Sequence, residues 1–308
     1  MATAIEVLEI DRRLLWGLCY RMTGNAADAD DLVQETFVRA IEKPPRRLDE
    51  PLRPWLVRVA INLSRDLLRR RRRQGYVGPW LPSPVPTDEE SPASFEPPAA
   101  SEDSPVARYD LKESISFAFL LALEALTPSQ RAVLLLRDVF DYSTSETAEA
   151  LDMTDANVKV VLLRARRRMK EYDKSRAGTG PGRQQATRRA LEQFLLYLST
   201  RDAAGLERLL AEDVVSISDG GGEVAAARQP VRGRDKVLRL ILGLAAKSVA
   251  EPRFGIHMLN GLPAVMVEDF RSTTTAATRY TIHIDVNDEG RIRGLHAVVA
   301  PSKLAALK

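Results

Sequence analysis

The segment Asn25-Ala-Ala-Asp-Ala-Asp-Asp-Leu-Val-Gln-Glu-Thr-Phe37 decides the fold of the first part of this chain. Asn25 is a preferred N-cap residue, and aspartates in the turn that follows it interact favourably with the helix dipole. Leu32, Ala40 and one of residues 36 and 37 recur at helical spacing and predict an apolar stripe. The segment therefore predicts a capped amphipathic helix, whose acidic face in an arbitrary protein would simply be solvated. The residues that can share this polar face are Asp28, Asp31, Gln34 and Glu35.

The next predicted helix has the opposite charge. Seven arginines fall within sixteen residues, and Asp66 is the only acidic residue among them. They are Arg58, Arg65, Arg69, Arg70, Arg71, Arg72 and Arg73. Such a density indicates contact with phosphates, because each neutralised phosphate releases counterions. A solvated helix end is the alternative interpretation.

A helix-turn-helix is predicted in the second helical block, which spans 111–172. Thr127 and Pro128 are a typical cap and first residue of a helix. The turn Asp152-Met-Thr-Asp155 separates predicted helices at 146–151 and 156–171, and the last helix has no acidic residue before Glu171. Charge concentrated on one helix is what a recognition helix in the major groove requires. Two overlapping stripes fit its period, so the sequence leaves its buried face open. Its basic residues are Lys159, Arg164, Arg166, Arg167, Arg168 and Lys170.

Composition limits the class of protein. The chain has 308 residues, 44% of them hydrophobic, which is enough for two or three domains with real cores. The net charge is only +3, so nucleic-acid binding would depend on local clusters. Cys19 is the only cysteine, which excludes an internal disulfide and a multi-thiolate zinc site. Without a signal peptide or a long apolar run, we expect a soluble, cytoplasmic protein with no membrane partner.

A proline-rich segment and an α+β block make up the rest. Residues 76–107 contain eight prolines and no Lys or Arg, which predicts an extended acidic linker. A second Gly/Pro-rich boundary lies at 175–182. Beyond it, helices at 184–199 and 235–246 accompany β-like runs at 214–218, 254–259, 264–270, 278–286 and 291–299. Hairpin turns are expected at Asn260-Gly261 and Asp288-Glu-Gly290, which favours an antiparallel sheet.

These motifs resemble a known family. Leu15–Asn25, Asp28–Phe37 and Pro54–Asn62 resemble the first conserved domain of extracytoplasmic-function sigma factors, and Leu126–Arg131 with Asn157–Arg166 resembles their −35-binding domain. The resemblance implies docking on the β′ coiled coil of RNA polymerase through Asp28, Asp31, Gln34, Glu35 and Phe37. It implies that the −10 element is bound by Arg46, Leu48, Asn62, Arg65 and Arg69. It implies that the −35 element is bound by Asn157, Lys159, Val160, Leu163, Arg164 and Arg167, with Arg166 and Arg168 on phosphate or solvent.

The linker and the third block resemble a subgroup of that family. Tyr76-Val-Gly-Pro-Trp-Leu-Pro-Ser-Pro84 is similar to the linker signature of the SigJ-like group, and Asp219-Gly-Gly-Gly and Val299–Leu304 are similar to two further signatures. In this group the C-terminal domain has the cone-shaped NTF2/SnoaL-like fold. The uncharged aromatic start of the linker is expected to dock elsewhere on the chain. The residues expected to make interdomain contact are Tyr76, Trp80, Leu81, Asp219, Gly220, Gly221, Lys303 and Leu304.

The sequence therefore predicts two all-α domains followed by an α+β domain. The expected boundaries are 1–74, a linker at 75–110, a helix-turn-helix domain at 111–174, a linker at 175–183 and the NTF2/SnoaL-like domain at 184–308. The resemblance implies a sigma factor, not an enzyme, that binds core polymerase (β′ coiled coil and β flap) and promoter DNA, and is monomeric when free. The third domain would regulate it, with room for a small ligand.

Two alternatives belong to other classes of protein. One is a ligand-responsive DNA-binding regulator that works without polymerase, against which the acidic helix argues. The other is a DNA-tethered isomerase, which would use His283 and Asp285, two residues on the same side of one predicted strand. A histidine on a strand is more commonly structural. We expect no metal and no cofactor, because neither metal-ligand spacing nor a phosphate-binding glycine loop occurs.

Overall fold

The fold was analysed in a computed structural model, whose contacts divide the chain into two compact units. The first comprises Met1–Gly75 and Thr87–Arg176, and the second Tyr76–Pro86 and Ala177–Lys308. The two predicted helical domains thus belong to one unit, and the start of the predicted linker belongs to the other. The residues that the structure describes are 4–43, 52–87, 108–174, 176, 178–247, 253–268 and 277–307.

The described part of the first unit is helical. Its helices are α1 (Ala4–Thr23), α2 (Ala26–Glu42), α3 (Leu52–Gln74), α4 (Phe117–Leu123), α5 (Pro128–Asp138), α6 (Thr144–Leu151), α7 (Asp155–Arg168) and α8 (Lys170–Lys174), with a 3₁₀ turn at Glu113–Ile115. The expected helix-turn-helix is formed by α6 and α7. The helix predicted at 156–171 is broken at Met169, between α7 and α8.

Side-chain caps fix where these helices begin. The Asn25 side chain accepts a hydrogen bond from the backbone of α2, as the sequence predicts. Thr127 and Gln130 form a reciprocal capping box at α5, with Pro128 as the first helical residue. Ser143 caps α6 and Thr154 caps α7. Each cap contributes about 1 kcal/mol to helix stability.

The interior of the first unit is formed by residues of α1, α3, α4 and α5, including Leu15, Leu18, Cys19, Tyr20, Met22, Leu56, Ile61, Phe119, Leu120, Leu135 and Leu136. Burial raises the pKa of the Cys19 thiol to about 12. The group therefore stays protonated at neutral pH and behaves as a small apolar side chain.

The described part of the second unit is α+β, which confirms the predicted fold class. Its elements are α9 (Pro181–Ser199), α10 (Ala203–Leu209), β1 (Leu210–Asp219), β2 (Val231–Arg232), α11 (Arg234–Lys247), β3 (Arg253–Leu259), β4 (Leu262–Glu268), β5 (Arg279–Val286) and β6 (Ile292–Val298), with a 3₁₀ turn at Pro301–Leu304. The six strands form one sheet in the order β2-β1-β6-β5-β4-β3, in which β1 and β6 are parallel. The β3–β4 hairpin turns at Asn260-Gly261, with φ of 52° and 78°, as expected for the asparagine-glycine pair.

One face of this sheet joins the apolar core with α9, α10 and α11. Ile284 and Val286 of β5 and Leu295 of β6 pack in that core. Side chains of a strand alternate between faces, so His283 and Asp285 lie on the opposite face. His283 is directly opposite His296 in the β5–β6 register. This α+β arrangement is the one expected for an NTF2/SnoaL-like domain.

Several element boundaries differ from the sequence prediction. Helix α9 begins at Pro181, the first helical residue after Gly180, so residues 181–183 belong to the domain instead of the linker. Strand β1 begins at Leu210 instead of 214 and runs on to Asp219. The sequence did not predict α10, a short helix whose N-cap is Asp202. Helix and strand propensities predict such short segments poorly, because tertiary packing decides their secondary structure.

The stability of the second unit should fall below pH 6.5. Burial lowers the pKa of His283 to about 3, and the nearby His296 lowers it further. Burial lowers the pKa of His296 to about 4, and the charge of Asp285 partly opposes this shift. The unfolded chain therefore binds more protons, and stability present above pH 6.5 is lost as the pH falls toward 4. At pH 5.5 the loss is about 1.4 kcal/mol for His283.

Urea unfolding of the full chain between pH 7 and pH 5 measures this effect. His283→Leu should reduce the loss of stability between pH 7 and pH 5, because a leucine at position 283 takes up no proton on unfolding. His257→Leu is the matched control, because His257 is exposed on β3. An equal slope in His283→Leu and the wild type would contradict the prediction.

Candidate functional site

The acidic face of α2 is open to solvent. Asp31, Gln34 and Glu35 are exposed, whereas Phe37 is half-buried. The opposite face is buried through Ala29, Leu32, Val33 and Thr36. The helix therefore presents a stripe of carboxylates and an amide on a rigid support, which suits a basic partner surface.

The two acidic residues at the ends of that stripe have intramolecular partners. Asp28 is partly buried and pairs with Arg71 of α3. Glu35 pairs with Arg39 one turn later at 2.8 Å, and both side chains are about half exposed. Exposed pairs of this kind contribute only about 0–1 kcal/mol, so Glu35 can be transferred to another partner at little cost.

Helix α3 carries the described part of the expected −10 surface. Asn62 and Arg69 are exposed and Arg65 is half-buried. Arg65 Nη1 donates to Asn62 Oδ1 at 3.2 Å, and Arg69 pairs with Asp66 at 3.0 Å. The other two residues expected at this site, Arg46 and Leu48, lie outside the described residues.

Helix α7 exposes every residue expected to bind the −35 element. Val158, Leu162 and Ala165 form its buried face, which decides the orientation that the sequence left open. Val160 and Leu163 are 46% and 53% exposed. The exposed surface, here called the α7 face, comprises Asn157, Lys159, Val160, Leu163, Arg164 and Arg167. It combines cations with apolar groups, a mixture suited to phosphates and thymine methyl groups.

Two arginines of α7 have intramolecular partners, and of these Arg168 is also exposed to solvent. Arg166 makes a bidentate pair with the buried Asp138, at 2.9 and 2.6 Å, and this hydrogen bonding raises the Arg166 pKa. Arg168 donates to the backbone carbonyl of Ala125 at 2.6 Å. Arg166 and Arg168 were expected on phosphate or solvent. Asp138 is 28 residues from Arg166, so sequence spacing gave no sign of this pair.

The start of the linker is anchored on Asp219 within the second unit. The Asp219 carboxylate is fully buried and accepts hydrogen bonds from Tyr76 Oη at 2.7 Å, Leu81 N at 2.7 Å and Gly221 N at 2.9 Å. Lys303 Nζ lies 2.6 Å from the same carboxylate. The carboxylate thus connects the linker, the turn after β1 and the C-terminal segment.

Lys303 completes this arrangement, here called the Asp219 anchor. Its side chain is 3% exposed, and its ammonium group also donates to the carbonyl of Leu81. The same nitrogen lies 4.8 Å from the ring centroid of Tyr76 and 4.5 Å from that of Trp80, within the range of a cation–π interaction. A buried charge needs this density of partners, because desolvation is otherwise too costly.

The remaining residues expected at the linker contact lie around the anchor. Leu304 is buried beside Lys303. Gly221 has φ of +61°, and a Cβ there would lie 3.1 Å from Ala300 Cβ and 3.5 Å from Tyr76 Oη. The site therefore requires glycine for conformation and for space. A Cβ at Gly220 would lie 2.5 Å from the backbone oxygen of Val224, so Gly220 serves the turn itself.

Sequence reasoning missed a second linker contact at Asn260. Val85 N donates to Asn260 Oδ1 at 3.0 Å, and Asn260 N donates to Val85 O at 2.9 Å. Pro86 then forms an antiparallel bridge with Leu259 at the end of β3. The asparagine-glycine signal indicated only a hairpin turn. The side chain of Asn260 is only 2% exposed because it pairs with the linker backbone. No local sequence pattern reveals this pairing.

The two residues considered for an isomerase, His283 and Asp285, lie on the same face of β5. Asp285 pairs with Arg183 and Arg293 at 2.5 Å each, and His283 is opposite His296. Among the described residues no group of three or more His, Cys, Asp or Glu side chains is placed to hold a metal ion. In the same part of the chain no helix is long and apolar enough to cross a bilayer.

Comparisons with known proteins agree with this geometry. Residues 8–74, which include α2 and α3, match the family model of Sigma-70 region 2. Residues 116–169, which include the helix-turn-helix, match Sigma-70 region 4. The motif resemblances in the two helical segments therefore fall within matched family domains.

Two curated proteins and a crystal structure extend the similarity over nearly the whole chain. The ECF RNA polymerase sigma factor SigJ of Mycobacterium tuberculosis is 30% identical over 97% of this chain and 93% of its own length. The probable ECF sigma factor SigI of the same organism is 27% identical over 96% and 93%. The crystal structure of Mycobacterium tuberculosis SigJ superposes with a TM-score of 0.72 at 28% identity, covering 98% of both chains. This chain belongs to the extracytoplasmic-function family of RNA polymerase sigma factors and is similar to SigJ along its full described architecture.

Proposed function

We propose that this sigma factor docks on core RNA polymerase through the acidic face of α2 and directs it to promoters through α3 and α7. The observation that carries the proposal is the α7 face, which exposes cations together with Val160 and Leu163. Cations and aliphatic side chains side by side on the last helix of a helix-turn-helix fit a major groove, which presents phosphates and thymine methyl groups together. The chain carries out no chemistry itself.

The polymerase contact is supported by the charge and rigidity of α2. Asp31, Gln34 and Glu35 are exposed on a helix whose other side is packed in the core. Complementary charge favours fast association with a basic partner and gives specificity. We assign this face of α2 to the β′ coiled coil of the polymerase and the region 4 segment to the β flap. The protein would then act in the cytoplasm.

We further assign a regulatory role to the C-terminal domain. Helix α3 ends at Gln74, and the Asp219 anchor binds Tyr76 two residues later. The domain therefore holds the chain immediately after the helix that carries the −10 residues. A change in the anchor would change the freedom of α3, a role that separate anti-sigma proteins otherwise fill. A small ligand could act here only by binding two states with different affinity.

Run-off transcription with purified core polymerase and a library of genomic fragments tests the main proposal. The full chain should yield fragment-specific transcripts. Arg164→Ala should weaken the promoter complex by about 1–3 kcal/mol, and Asp31→Arg should abolish polymerase binding measured by co-sedimentation. Arg189→Ala is the matched control, because Arg189 is exposed on α9.

Loss of activity in Arg189→Ala to the same extent would show that the α7 face has no special role. If the chain bound DNA fragments alone and never initiated transcription with core polymerase, it would be a polymerase-independent regulator.

Substitutions in the Asp219 anchor test the regulatory assignment. Lys303→Met leaves the buried carboxylate without its ammonium partner and should cost about 3–5 kcal/mol of stability. Asp219→Asn combined with Lys303→Met should recover much of that loss, because no buried charge remains. Tyr76→Phe should cost about 1.5–3 kcal/mol at most, the contribution of a hydrogen bond to a charged group.

Urea unfolding in a Trp16→Phe/Trp55→Phe background, which leaves Trp80 as the fluorescent tryptophan, measures these losses. The same substitutions in the otherwise native chain are compared in run-off transcription. Lys236→Met is the matched control, because Lys236 is exposed on α11. Unchanged transcription in Tyr76→Phe and in the double variant, despite altered Trp80 fluorescence, would contradict a regulatory role for the anchor.

A further inference from the structure

The sheet of the second unit has an open margin along part of β3. Among the described strands, β3 is the last in the sheet order and pairs with β4 on one side. On its other side the linker reaches the end of the strand, where Pro86 bridges Leu259. The stretch Phe254-Gly-Ile256, here called the β3 edge, lies beyond that bridge and carries no charged residue. Natural proteins commonly protect such edges with lysine, proline or a covering segment.

The backbone of the β3 edge directs hydrogen-bonding groups outward. In an antiparallel pair of strands, residues that exchange hydrogen bonds alternate with residues that do not. Met258 is opposite Pro263, which has no N–H, so this pair is of the second kind. By alternation, the N–H and C=O groups of Phe254 and Ile256 point away from β4. These two residues therefore offer an antiparallel strand two successive pairing positions.

An apolar groove lies beside these backbone groups. Helix α9 packs mainly on β4 and β5, and a groove of about 340 Å³ lies between that helix and β3. Phe254 and Leu196 are 54% and 57% exposed there. The edge therefore presents a large apolar side chain next to a groove that has room for one. The groove is lined by Glu192, Leu195, Leu196, Ser199, Phe254, Gly255 and Ile256.

We propose that the β3 edge docks on the β3 edge of a second copy of this chain, around a two-fold axis at Gly255. Phe254 then pairs with the partner's Ile256, and each such pair exchanges two backbone hydrogen bonds. A two-fold interface uses the same residues on both copies. The exposed Phe254 of each copy is thereby placed at the groove of the other, so both unfilled grooves are filled by one contact.

The length of β3 fits this register. The strand runs from Arg253 to Leu259. An axis at Gly255 places Arg253 opposite the partner's His257, so pairing covers residues 253–257 and leaves Leu259 to the linker. An axis at Ile256 would place Arg253 opposite the partner's Leu259, a position that the linker already occupies. The contact between copies thus continues the linker contact along the same edge of the sheet.

A glycine suits the centre of this axis. Two residues that face each other across a non-hydrogen-bonded antiparallel pair have Cα atoms about 4.5 Å apart. Glycine weakens the interior of a strand, and it commonly marks a place where another backbone comes close. Gly255 lies between the two outward-facing residues, which is where the backbones of two copies would approach each other.

The contact is small, so the dimer should form only at high concentration. Its hydrogen bonds and half-exposed apolar side chains bury less than the roughly 1,200 Å² at which standard interfaces begin. We expect half-association at about 10–100 µM of chain. The contact uses apolar and backbone groups, so added salt should change it little. The monomer that the family resemblance implies is then the form at lower concentrations.

Sedimentation velocity of the full chain, over a concentration range that brackets this value, tests the proposal. Phe254→Lys should weaken the dimer at least about tenfold, because the charge enters the contact twice, once from each copy. Leu244→Lys is the matched control, because Leu244 is 60% exposed on α11. Its association should equal that of the wild type. A wild type that stays monomeric throughout, or an equal loss in both variants, would overturn the proposal.

Gly255→Cys measures the register independently. Cysteines facing each other across the axis would have Cα atoms about 4.5 Å apart, within the range of a disulfide. With oxidised glutathione as the oxidant, this variant should form a covalent dimer. A Cβ at position 255 meets the imidazole of the exposed His257, which can rotate away. Cys19 does not compete, because it is fully buried.

Gly243→Cys is the control for this measurement, because Gly243 is exposed on α11 and a Cβ there meets nothing within 4 Å. It should remain monomeric under the same oxidation. Equal dimer formation by both cysteine variants would show random collision and contradict the proposed axis.

A different occupant of the β3 edge would give a different result. At concentrations below the dimer range, Phe254→Lys should bind core polymerase and support run-off transcription as the wild type does. If the wild type stayed monomeric and Phe254→Lys weakened polymerase binding, the edge would be a polymerase contact and the dimer proposal would be wrong.

Discussion

The buried carboxylate of Asp219 is the interaction on which the organisation of this chain depends. Four donors converge on it, from Tyr76, Leu81, Gly221 and Lys303. A fully buried carboxylate loses stability with each missing partner, because these partners compensate for its desolvation. Because two of those donors come from the linker, residues 76–86 are part of the C-terminal unit. Composition predicts that this segment is a spacer, but in the structure it is an integral part of the C-terminal unit.

Much of the first unit follows from local sequence rules. The Asn25 cap, the Thr127–Gln130 capping box and the amphipathic period of α2 are local features, and the structure has them where the sequence places them. The acidic and basic helices of the sigma motifs are likewise local. The predicted and observed helices agree because helix propensity, hydrophobic patterning and tertiary packing favour the same structure, as is usual in natural sequences.

The role of each arginine could not be predicted from its neighbours. Arg166 and Arg167 are adjacent, yet Arg166 pairs with buried Asp138 while Arg167 stays on the exposed α7 face. In the sequence Arg21 is one more cation after an apolar run, but in the structure it is buried and donates to the carbonyl of Leu111, 90 residues away. Burial direction and long-range partners decide between a structural and a binding arginine. Neither is encoded in composition or spacing, so part of the candidate site emerged only from the fold.

Depth of burial separates two uses of arginine in the first unit. Where a guanidinium is buried on backbone carbonyls, as at Arg21 and Arg131, its removal leaves unsatisfied acceptors and its release requires water to enter. Where it is exposed, as at Arg58, its partner can be replaced by any accessible anion with little change in free energy. A phosphate backbone supplies such anions together with counterion release, which favours exchange at low salt. An exposed guanidinium such as that of Arg58 can therefore change partners, while the buried contacts of Arg21 and Arg131 stay fixed.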